Sequence, residues 1–190
     1  MRPKNKLVHG IGVNDYEGSI VENGKDIISY TTWRNMLARC YSTKQQVRNQ
    51  TYIECSVCDE WLSFSNFKIW FDENYIEGFA LDKDILFEGN KIYSPYFCRF
   101  VPFYLNSLLT NRANARGELP IGITNNNGYY RAKCHNGYGK QLNKTFKTVE
   151  EASAWYSETK KRIVKEQAQR AFSENAIKTD IYLALVRRDF

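Results

Sequence analysis

The chain has 190 residues, of which 43% are hydrophobic and 15% aromatic, and its net charge is +6 at neutral pH. This apolar content can form a packed core, which excludes wholesale disorder. No stretch approaches the roughly 18 uninterrupted apolar residues that a membrane span needs. We therefore expect no membrane contact and a cytoplasmic location.

The positive charge is confined to the C-terminal part of the chain. Residues 1–110 hold 12 Lys and Arg against 13 Asp and Glu, whereas residues 111–190 hold 15 against 8. A positive field confined to one region is typical of proteins that bind a phosphate backbone. A solvated basic helix face has the same composition, so charge alone leaves both interpretations open.

Apolar spacing predicts two helices in the first half of the chain. The first covers Thr31–Tyr41, with Thr31 or Thr32 as its N-cap, and the second covers Ser63–Glu73. The polar residues Ser42–Asn49 between them are predicted to form a loop. The buried side chains of the second helix are expected to be Phe64, Phe67 and either Phe71 or Trp70.

A β-hairpin and a third helix are predicted next. Phe79–Phe87 and Lys91–Tyr93 flank Glu88-Gly89-Asn90, whose glycine and asparagine suit a tight turn. Proline favours the first turn of a helix, which places a helix over Pro102–Thr110. The polar and basic residues 111–119 are predicted to link two units.

The C-terminal part reads as three strands followed by a helix. The strands are predicted at Ile121–Thr124, Tyr129–His135 and Gln141–Phe146. Thr148 and Glu151 form a capping box that opens a long helix. The helix face expected to be buried carries Ala152, Tyr156, Thr159 and Ile163, and a short closing helix is expected within Asp180–Phe190.

These elements predict an α+β fold. An N-terminal helical unit with a strand-strand-helix (ββα) segment, over residues 1–110, precedes the linker at 111–119. A three-stranded antiparallel sheet packed on one helix follows over 120–171, and a tail with a short helix covers 172–190.

The middle strand of the predicted sheet can present cations to a partner. Tyr129, Arg131 and Lys133 share one face, and Tyr130 and Ala132 share the other. A DNA major groove admits a sheet, and an arginine can pair bidentately with guanine there. We expect Arg131 to read bases in double-stranded DNA. The side chains expected to support it are Lys133, Lys140 and Lys144, which would hold phosphates, and Tyr130.

The same segment resembles a known family. The resemblance covers residues 120–163 and is carried by Pro120-Ile121-Gly122-Ile123, Tyr130-Arg131-Ala132-Lys133, Thr145-Phe146-Lys147-Thr148-Val149-Glu150-Glu151-Ala152 and Trp155-Tyr156. These motifs are similar to the plant ethylene-response-factor DNA-binding domain, which implies a sheet that reads the major groove. Leu142-Asn143-Lys144 stands where that family has Leu-Gly.

The N-terminal part resembles HNH (His-Me finger) nucleases of the phage recombination-endonuclease branch. The shared order is Cys55-x-x-Cys58, then Leu81-Asp82-Lys83-Asp84, then Cys98 before a helix. The resemblance implies a catalytic set of Asp82, Lys83, Asp84 and Asn106, with Asp82 binding Mg²⁺ or Mn²⁺. Asn90 is a weaker candidate, and Lys83 occupies the position of the general-base histidine.

The whole chain also resembles bacteriophage proteins labelled HNH endonuclease or sheet-type DNA-binding protein. The resemblance is carried mainly by Trp33-x-x-Met36-Leu37-x-Arg39-Cys40-Tyr41, Val57-Cys58-x-Glu60-Trp61, Phe64-Ser65-Asn66-Phe67 and Leu81-Asp82-Lys83-Asp84-Ile85-Leu86. For a phage-encoded chain, the expected location is the host cytoplasm.

The cysteines allow two interpretations. Cys40, Cys55, Cys58 and Cys98 would form a structural zinc site if the fold brought Cys40 and Cys98 to the Cys-x-x-Cys pair. Free cysteines are also common as small buried apolar residues. Cys40 lies on the apolar stripe of its helix, which favours the second interpretation.

Three functional hypotheses follow. The first is a metal-dependent, homing-type endonuclease that cuts phosphodiester bonds. The second is a non-catalytic DNA-binding regulator or anti-defence factor on a degenerate nuclease fold. The third is a module that contacts only proteins. Whether the chain is an enzyme is left open, because the general-base position holds Lys83.

Overall fold

The computed structural model describes residues 7–109 and 119–190. The chain divides into two units, Met1–Phe100 and Val101–Phe190. The predicted linker at 111–119 lies outside the described residues except for Leu119. Within the described residues, no helix combines the length and apolar character needed to cross a membrane.

Over its described residues, 7–100, the first unit contains three α-helices and several very short strands. In chain order its elements are β1 (Val21–Glu22), β2 (Lys25–Asp26), α1 (Ile28–Tyr41), α2 (Thr43–Arg48), β3 (Ser56–Val57), α3 (Phe64–Asn74), β4 (Phe79–Asp82) and β5 (Ile92–Tyr93), with 3-10 turns at Gln50–Tyr52 and Asp59–Leu62. Strand β1 pairs antiparallel with β2, and β3 pairs parallel with β5. Strand β4 pairs with β6 (Arg99–Pro102), and the division between the units falls within β6.

The core of the first unit is aromatic. Trp33 of α1, Trp61, and Phe64 and Phe67 of α3 are fully buried. Trp33 Nε1 donates to the carbonyl oxygen of Trp61 at 2.7 Å, so one indole N–H is satisfied inside the core. The rings of Trp33 and Phe64 lie 5.3 Å apart, which joins α1 to α3. The apolar stripes read from the sequence are therefore the faces that pack together.

Two local predictions in this region are wrong. Helix α1 begins at Ile28, three residues earlier than predicted, and its N-cap Ile27 contributes no side-chain cap. Thr32 lies inside the helix instead, where its hydroxyl donates to the carbonyl oxygen of Ile28 at 2.9 Å. The predicted loop at 42–49 contains helix α2, none of whose residues is buried.

The predicted hairpin between Phe79 and Tyr93 is also wrong. Strands β4 and β5 do not pair with each other, since β4 pairs with β6 and β5 with β3. Strand β4 ends at Asp82, whose Oδ1 accepts from the backbone N of Asp84 and of Ile85. Those two amides are turned toward a side chain and do not continue a ladder, so the chain leaves the sheet there.

The second unit confirms the predicted α+β architecture. After β6 its elements are α4 (Phe103–Leu109), β7 (Ile123–Asn126), β8 (Tyr129–His135), β9 (Gln141–Phe146), α5 (Val149–Ser173) and α6 (Thr179–Arg187). The three strands form an antiparallel sheet in the order β7-β8-β9, which packs against α5 through Ile123, Ala132 and Ala152. Helix α6 covers Thr179–Arg187 and corresponds to the short closing helix expected within Asp180–Phe190.

Helix α5 starts where the capping box predicts. Thr148 Oγ1 accepts from the backbone N of Glu151 at 3.2 Å. The carboxylate of Glu151 turns back to the backbone N of Lys147 at 3.3 Å. These two bonds satisfy amides that would otherwise lack partners at the helix start.

Helix α4 packs within the second unit. The rings of Tyr104 and Tyr138 lie 5.0 Å apart, and Tyr138 belongs to the turn between β8 and β9. The guanidinium of Arg170, on α5, stacks over the Tyr138 ring at 4.9 Å. The helix that carries Asn106 therefore groups with the sheet, and the division of the chain falls ahead of the predicted boundary at residue 110.

Candidate nucleic-acid interface

The pairing register determines which sheet residues face α5. Tyr130 pairs with Phe146, Ala132 with Ile123 and Lys144, and Cys134 with Leu142. Cross-strand partners lie on the same face of a sheet. Because Ala132 and Ile123 are buried against Ala152 of α5, all these residues lie on the helix-facing side.

The opposite side, which we call the open face, carries the alternate residues of each strand. Its members are Thr124, Asn126, Tyr129, Arg131, Lys133, His135, Gln141, Asn143 and Thr145. Arg131 and Lys133 are half-buried, and the other seven are exposed. Arg131 lies between Thr124 and Thr145 in one cross-strand row. Lys133 lies beside Asn143 in the next row.

The charged side chains of the sheet and its turns are all positive. Between Leu119 and Val149 the sequence holds five Lys and Arg residues and no Asp or Glu. These cations are Arg131, Lys133, Lys140, Lys144 and Lys147. No carboxylate on the three strands or their turns offsets them, so the sheet presents an uncompensated positive field.

The side chain of Arg131 has no hydrogen-bond or ion-pair partner in the described residues. Its Nε is buried and has no hydrogen-bond partner there. A guanidinium carries five N–H donors in a fixed planar fork. No acceptor from the described part of the protein uses the Nε donor of this fork.

The predicted DNA-contacting residues are divided between the two sides of the sheet. Arg131 and Lys133 lie together on the open face, and Lys140 lies in the turn before β9. Lys144 lies on the helix-facing side, with its Nζ 5.3 Å from the centre of the Phe146 ring. Tyr130 packs against the Ile123–Ala132–Ala152 core. The structure therefore gathers only part of the predicted set on one surface.

Other open-face residues are absent from the sequence prediction. Thr124, Asn143 and Thr145 flank the two central cations, and His135 lies at the end of β8. Nδ1 of His135 accepts from the backbone N of Gly137 at 3.1 Å. The alternation of side chains along each strand could have indicated which face of the sheet these residues occupy. Which residues lie side by side in a cross-strand row depends on the pairing register, and the turns set that register.

The Asp82 loop of the first unit is held by reciprocal hydrogen bonds. Lys83 is buried, and its Nζ donates to the carbonyl oxygen of Asn90 at 2.7 Å and to Asp84 Oδ2 at 3.1 Å. Asn90 Nδ2 donates to the carbonyl oxygens of Lys83 and Ile92. Burial raises the pKa of Asp82 to about 6, and the carboxylate of Asp84 acts in the same direction.

This arrangement fits a divalent metal ion poorly. Asp82 Oδ1 accepts from two backbone amides, and Asp84 is engaged by the ammonium of Lys83. A hard cation such as Mg²⁺ needs several free oxygen ligands in a near-octahedral arrangement. Asn106 belongs to the second unit. Within residues 7–109 and 119–190, no three His, Cys, Asp or Glu side chains are grouped so that they could hold a metal.

The cysteines are free thiols. Cys40, Cys55 and Cys98 are buried and Cys58 is half-buried. Burial raises the pKa of all four thiols, that of Cys40 to about 12. In the part of the chain that the structure describes, they are not grouped as a metal site. The interpretation of Cys40 as a core residue accords with its place beside Trp33 and Leu37.

No protein-family model, no curated protein and no solved structure matches the chain. The resemblances to ethylene-response-factor domains and to HNH nucleases therefore stay predictions. The candidate interface is defined by its own geometry and charge.

Proposed function

We propose that the chain is a double-stranded-DNA-binding protein whose open face enters the major groove. The observation that carries the proposal is the placement of Arg131 and Lys133 at the centre of an exposed sheet face without carboxylates. Long-range attraction to DNA comes from this uncompensated positive field. Short-range contacts come from the side chains of the face itself.

The dimensions of the sheet suit the groove. Three strands spaced by about 4.8 Å span roughly 10 Å between the outer strands. The major groove of B-DNA is about 12 Å wide. The exposed polar residues Thr124, Asn143 and Thr145 beside the cations supply hydrogen-bonding groups that a groove floor can match.

The contacts divide by chemistry. Arg131 has the planar fork that pairs with guanine O6 and N7, so we assign base reading to it. Lys133 and Lys140 carry point charges that suit phosphates. Lys144 is exposed on an outer strand, where it can reach only the backbone that passes the sheet edge.

Fluorescence anisotropy with duplex DNA across a salt series tests the proposal. The wild-type affinity is expected to fall steeply with salt, because binding releases counterions. Lys133→Ala should reduce the salt slope by about one, and Arg131→Ala should cost about 1–3 kcal/mol on a preferred sequence. Lys25→Ala, an exposed lysine of the first unit, serves as the matched control and should change neither quantity.

Two results would contradict the proposal. One is binding that does not respond to salt, which would favour the protein-only hypothesis. The other is a loss of binding that is equal in Lys25→Ala and Lys133→Ala. Circular dichroism of each variant checks that the fold is retained.

Endonuclease activity is not part of this proposal. It stays a prediction from the resemblance of Leu81-Asp82-Lys83-Asp84 to the HNH pattern. Lys83 is engaged as a donor to Asp84 and to the carbonyl oxygen of Asn90. An ammonium held in this way does not accept a proton from an attacking water.

A further inference from the structure

Asn143 carries an unused amide on the open face of the sheet. It lies on the outer strand β9, opposite Lys133 of β8, and its side chain is exposed. Within the described ranges, the amide of Asn143 makes no hydrogen bond to another protein group. Asparagine is depleted in strands, so strand stability does not explain an asparagine at this position either. The amide is therefore available to a ligand that lies against the open face.

Other asparagines of the sheet have structural roles. Asn125 Oδ1 accepts from the backbone N of Gly128 at 3.2 Å, at the turn between β7 and β8. Asn136 Oδ1 accepts from the backbone N of Tyr138 at 3.0 Å, in the turn between β8 and β9. These two side chains stabilise turns, whereas the side chain of Asn143 points from the middle of a strand to the surface.

Asn143 and Arg131 lie in neighbouring cross-strand rows of the open face. Arg131 shares its row with Thr145, and Asn143 shares the next row with Lys133. Two residues along a strand cover about 6.7 Å. Because a base pair of B-DNA rises about 3.4 Å, neighbouring rows of strands that follow the groove cover at most two base-pair steps. A sheet twists, so the middle rows reach the groove floor while the end rows turn away from it.

The amide of Asn143 has the donor and the acceptor that adenine requires. In the major groove, adenine presents N7 as an acceptor and its N6 amino group as a donor, and an asparagine side chain can pair with both. The hydroxyls of Thr124 and Thr145 can donate or accept, so they distinguish bases less well. In the two middle rows, Asn143 is therefore the side chain suited to adenine.

We propose that Asn143 reads an adenine within two base pairs of the guanine that Arg131 reads. The preferred ligand is then double-stranded DNA that carries both bases, on one strand or on opposite strands. This inference rests on the proposed function of the open face, and it specifies the class of target sequence that the face prefers.

Selection of duplexes from a random pool, at one fixed salt concentration, gives the preferred site of the wild-type protein. We expect a guanine and, within two base pairs of it, an adenine. Fluorescence anisotropy then measures binding to duplexes in which this adenine is changed. Thymine in its place should weaken wild-type binding about tenfold. Its replacement by 7-deazaadenine, which lacks only the N7 acceptor, should weaken binding about threefold.

Substitutions on β9 test whether Asn143 is the reader. Asn143→Ala should bind the adenine, 7-deazaadenine and thymine duplexes equally, because it has no amide. Asn143→Gln keeps an amide that can pair with adenine, so it should retain a preference for adenine. Gln141→Ala is the matched control, since Gln141 is an exposed amide on the same face of β9 but lies in the end row with His135. It should keep the wild-type preference.

Three results would overturn this inference and leave the proposed function of the open face in place, provided that duplex binding still weakens with salt. They are a selected site without the adenine, an unchanged adenine preference in Asn143→Ala, and an equal loss of that preference in Gln141→Ala. Absence of salt-dependent duplex binding by wild type would instead overturn the proposed function and this inference together.

Discussion

Lys83 and Asn90 form a reciprocal pair of hydrogen bonds, in which the side chain of each residue donates to the backbone carbonyl oxygen of the other. Lys83 Nζ donates to the carbonyl oxygen of Asn90 at 2.7 Å, and Asn90 Nδ2 donates to the carbonyl oxygen of Lys83, also at 2.7 Å. The loop between β4 and β5 is closed by this exchange, which takes the place of a strand ladder. Asn90 therefore has a structural role in this loop. The sequence had indicated it only as a weaker candidate for the catalytic site.

Asn90→Ala should destabilise the first unit by about 2 kcal/mol, because it leaves the carbonyl oxygens of Lys83 and Ile92 without their donor. Urea unfolding followed by tryptophan fluorescence measures this change. Asn35→Ala, at an exposed position on α1, is the control and should change stability by less than about 0.5 kcal/mol. Equal effects of the two substitutions would contradict the assigned role.

Plasmid DNA incubated with the protein and Mg²⁺ or Mn²⁺ should not be nicked above the level seen with Asp82→Asn. The reason is that Lys83 is fixed as a hydrogen-bond donor where the HNH pattern needs a base. Gel analysis of supercoiled plasmid provides the measurement. Nicking by wild type that is lost in Asp82→Asn would establish the endonuclease hypothesis instead.

The buried carboxyl of Asp82 makes stability depend on pH in a defined direction. Its pKa is raised from the ordinary value of 3.8 to about 6 by burial, with Asp84 adding to the effect. Below pH 3.8 both folded and unfolded chains hold the proton, and the stabilising contribution is complete. Between these two values only the folded chain holds it, so this contribution is lost as pH rises toward 6 and above.

Asp82→Asn should therefore reduce the fall in the free energy of unfolding between pH 4 and pH 6.5, by on the order of 2 kcal/mol. Urea titrations at several pH values give this dependence. The exposed Asp59→Asn serves as the control and should follow the wild-type curve. If Asp82→Asn also follows that curve, the carboxyl does not titrate in this range.

Gly122 and Gly128 offer a matched pair of substitutions in the second unit. Both have positive φ, at +71° and +85°. A Cβ on Gly122 would lie 2.7 Å from the carbonyl oxygen of Lys133 and would also clash with the ring of Tyr156, whereas a Cβ on Gly128 meets nothing within 4 Å. Gly122→Ala should cost about 3 kcal/mol or more, and Gly128→Ala about 1 kcal/mol.

Thermal unfolding followed by circular dichroism measures this difference. Duplex binding by Gly122→Ala should fall with the folded fraction of the second unit, while Gly128→Ala should bind almost as wild type does. Similar unfolding temperatures for the two variants would show that the strand has room to move at Gly122.

The second unit was predictable because its signals are local. Strands β8 and β9 match their predicted bounds, since turn residues follow each strand and the Thr148 cap fixes the helix start. Alternation along β8 separated Arg131 and Lys133 from Ala132. Alternation within one strand does not identify the neighbours of Arg131 on β7 and β9. Those neighbours depend on the pairing register between the strands.

The first unit was less predictable because distant contacts decide its local structure. The Gly89-Asn90 pair is a strong hairpin signal, yet the side chain of Asn90 binds Lys83 and Ile92 and closes a loop. Strand β5 then pairs with β3, more than thirty positions earlier in sequence.

The carboxylate-free stretch from Leu119 to Val149 also bears on self-association. Strand β9 lies at the edge of its sheet, and such a strand can recruit a matching strand from a second molecule. Here the second molecule would bring the same positive charges, among them Lys140 and Lys144. Like-charge repulsion across the edge would therefore oppose such pairing in dilute salt, and high salt would weaken that opposition.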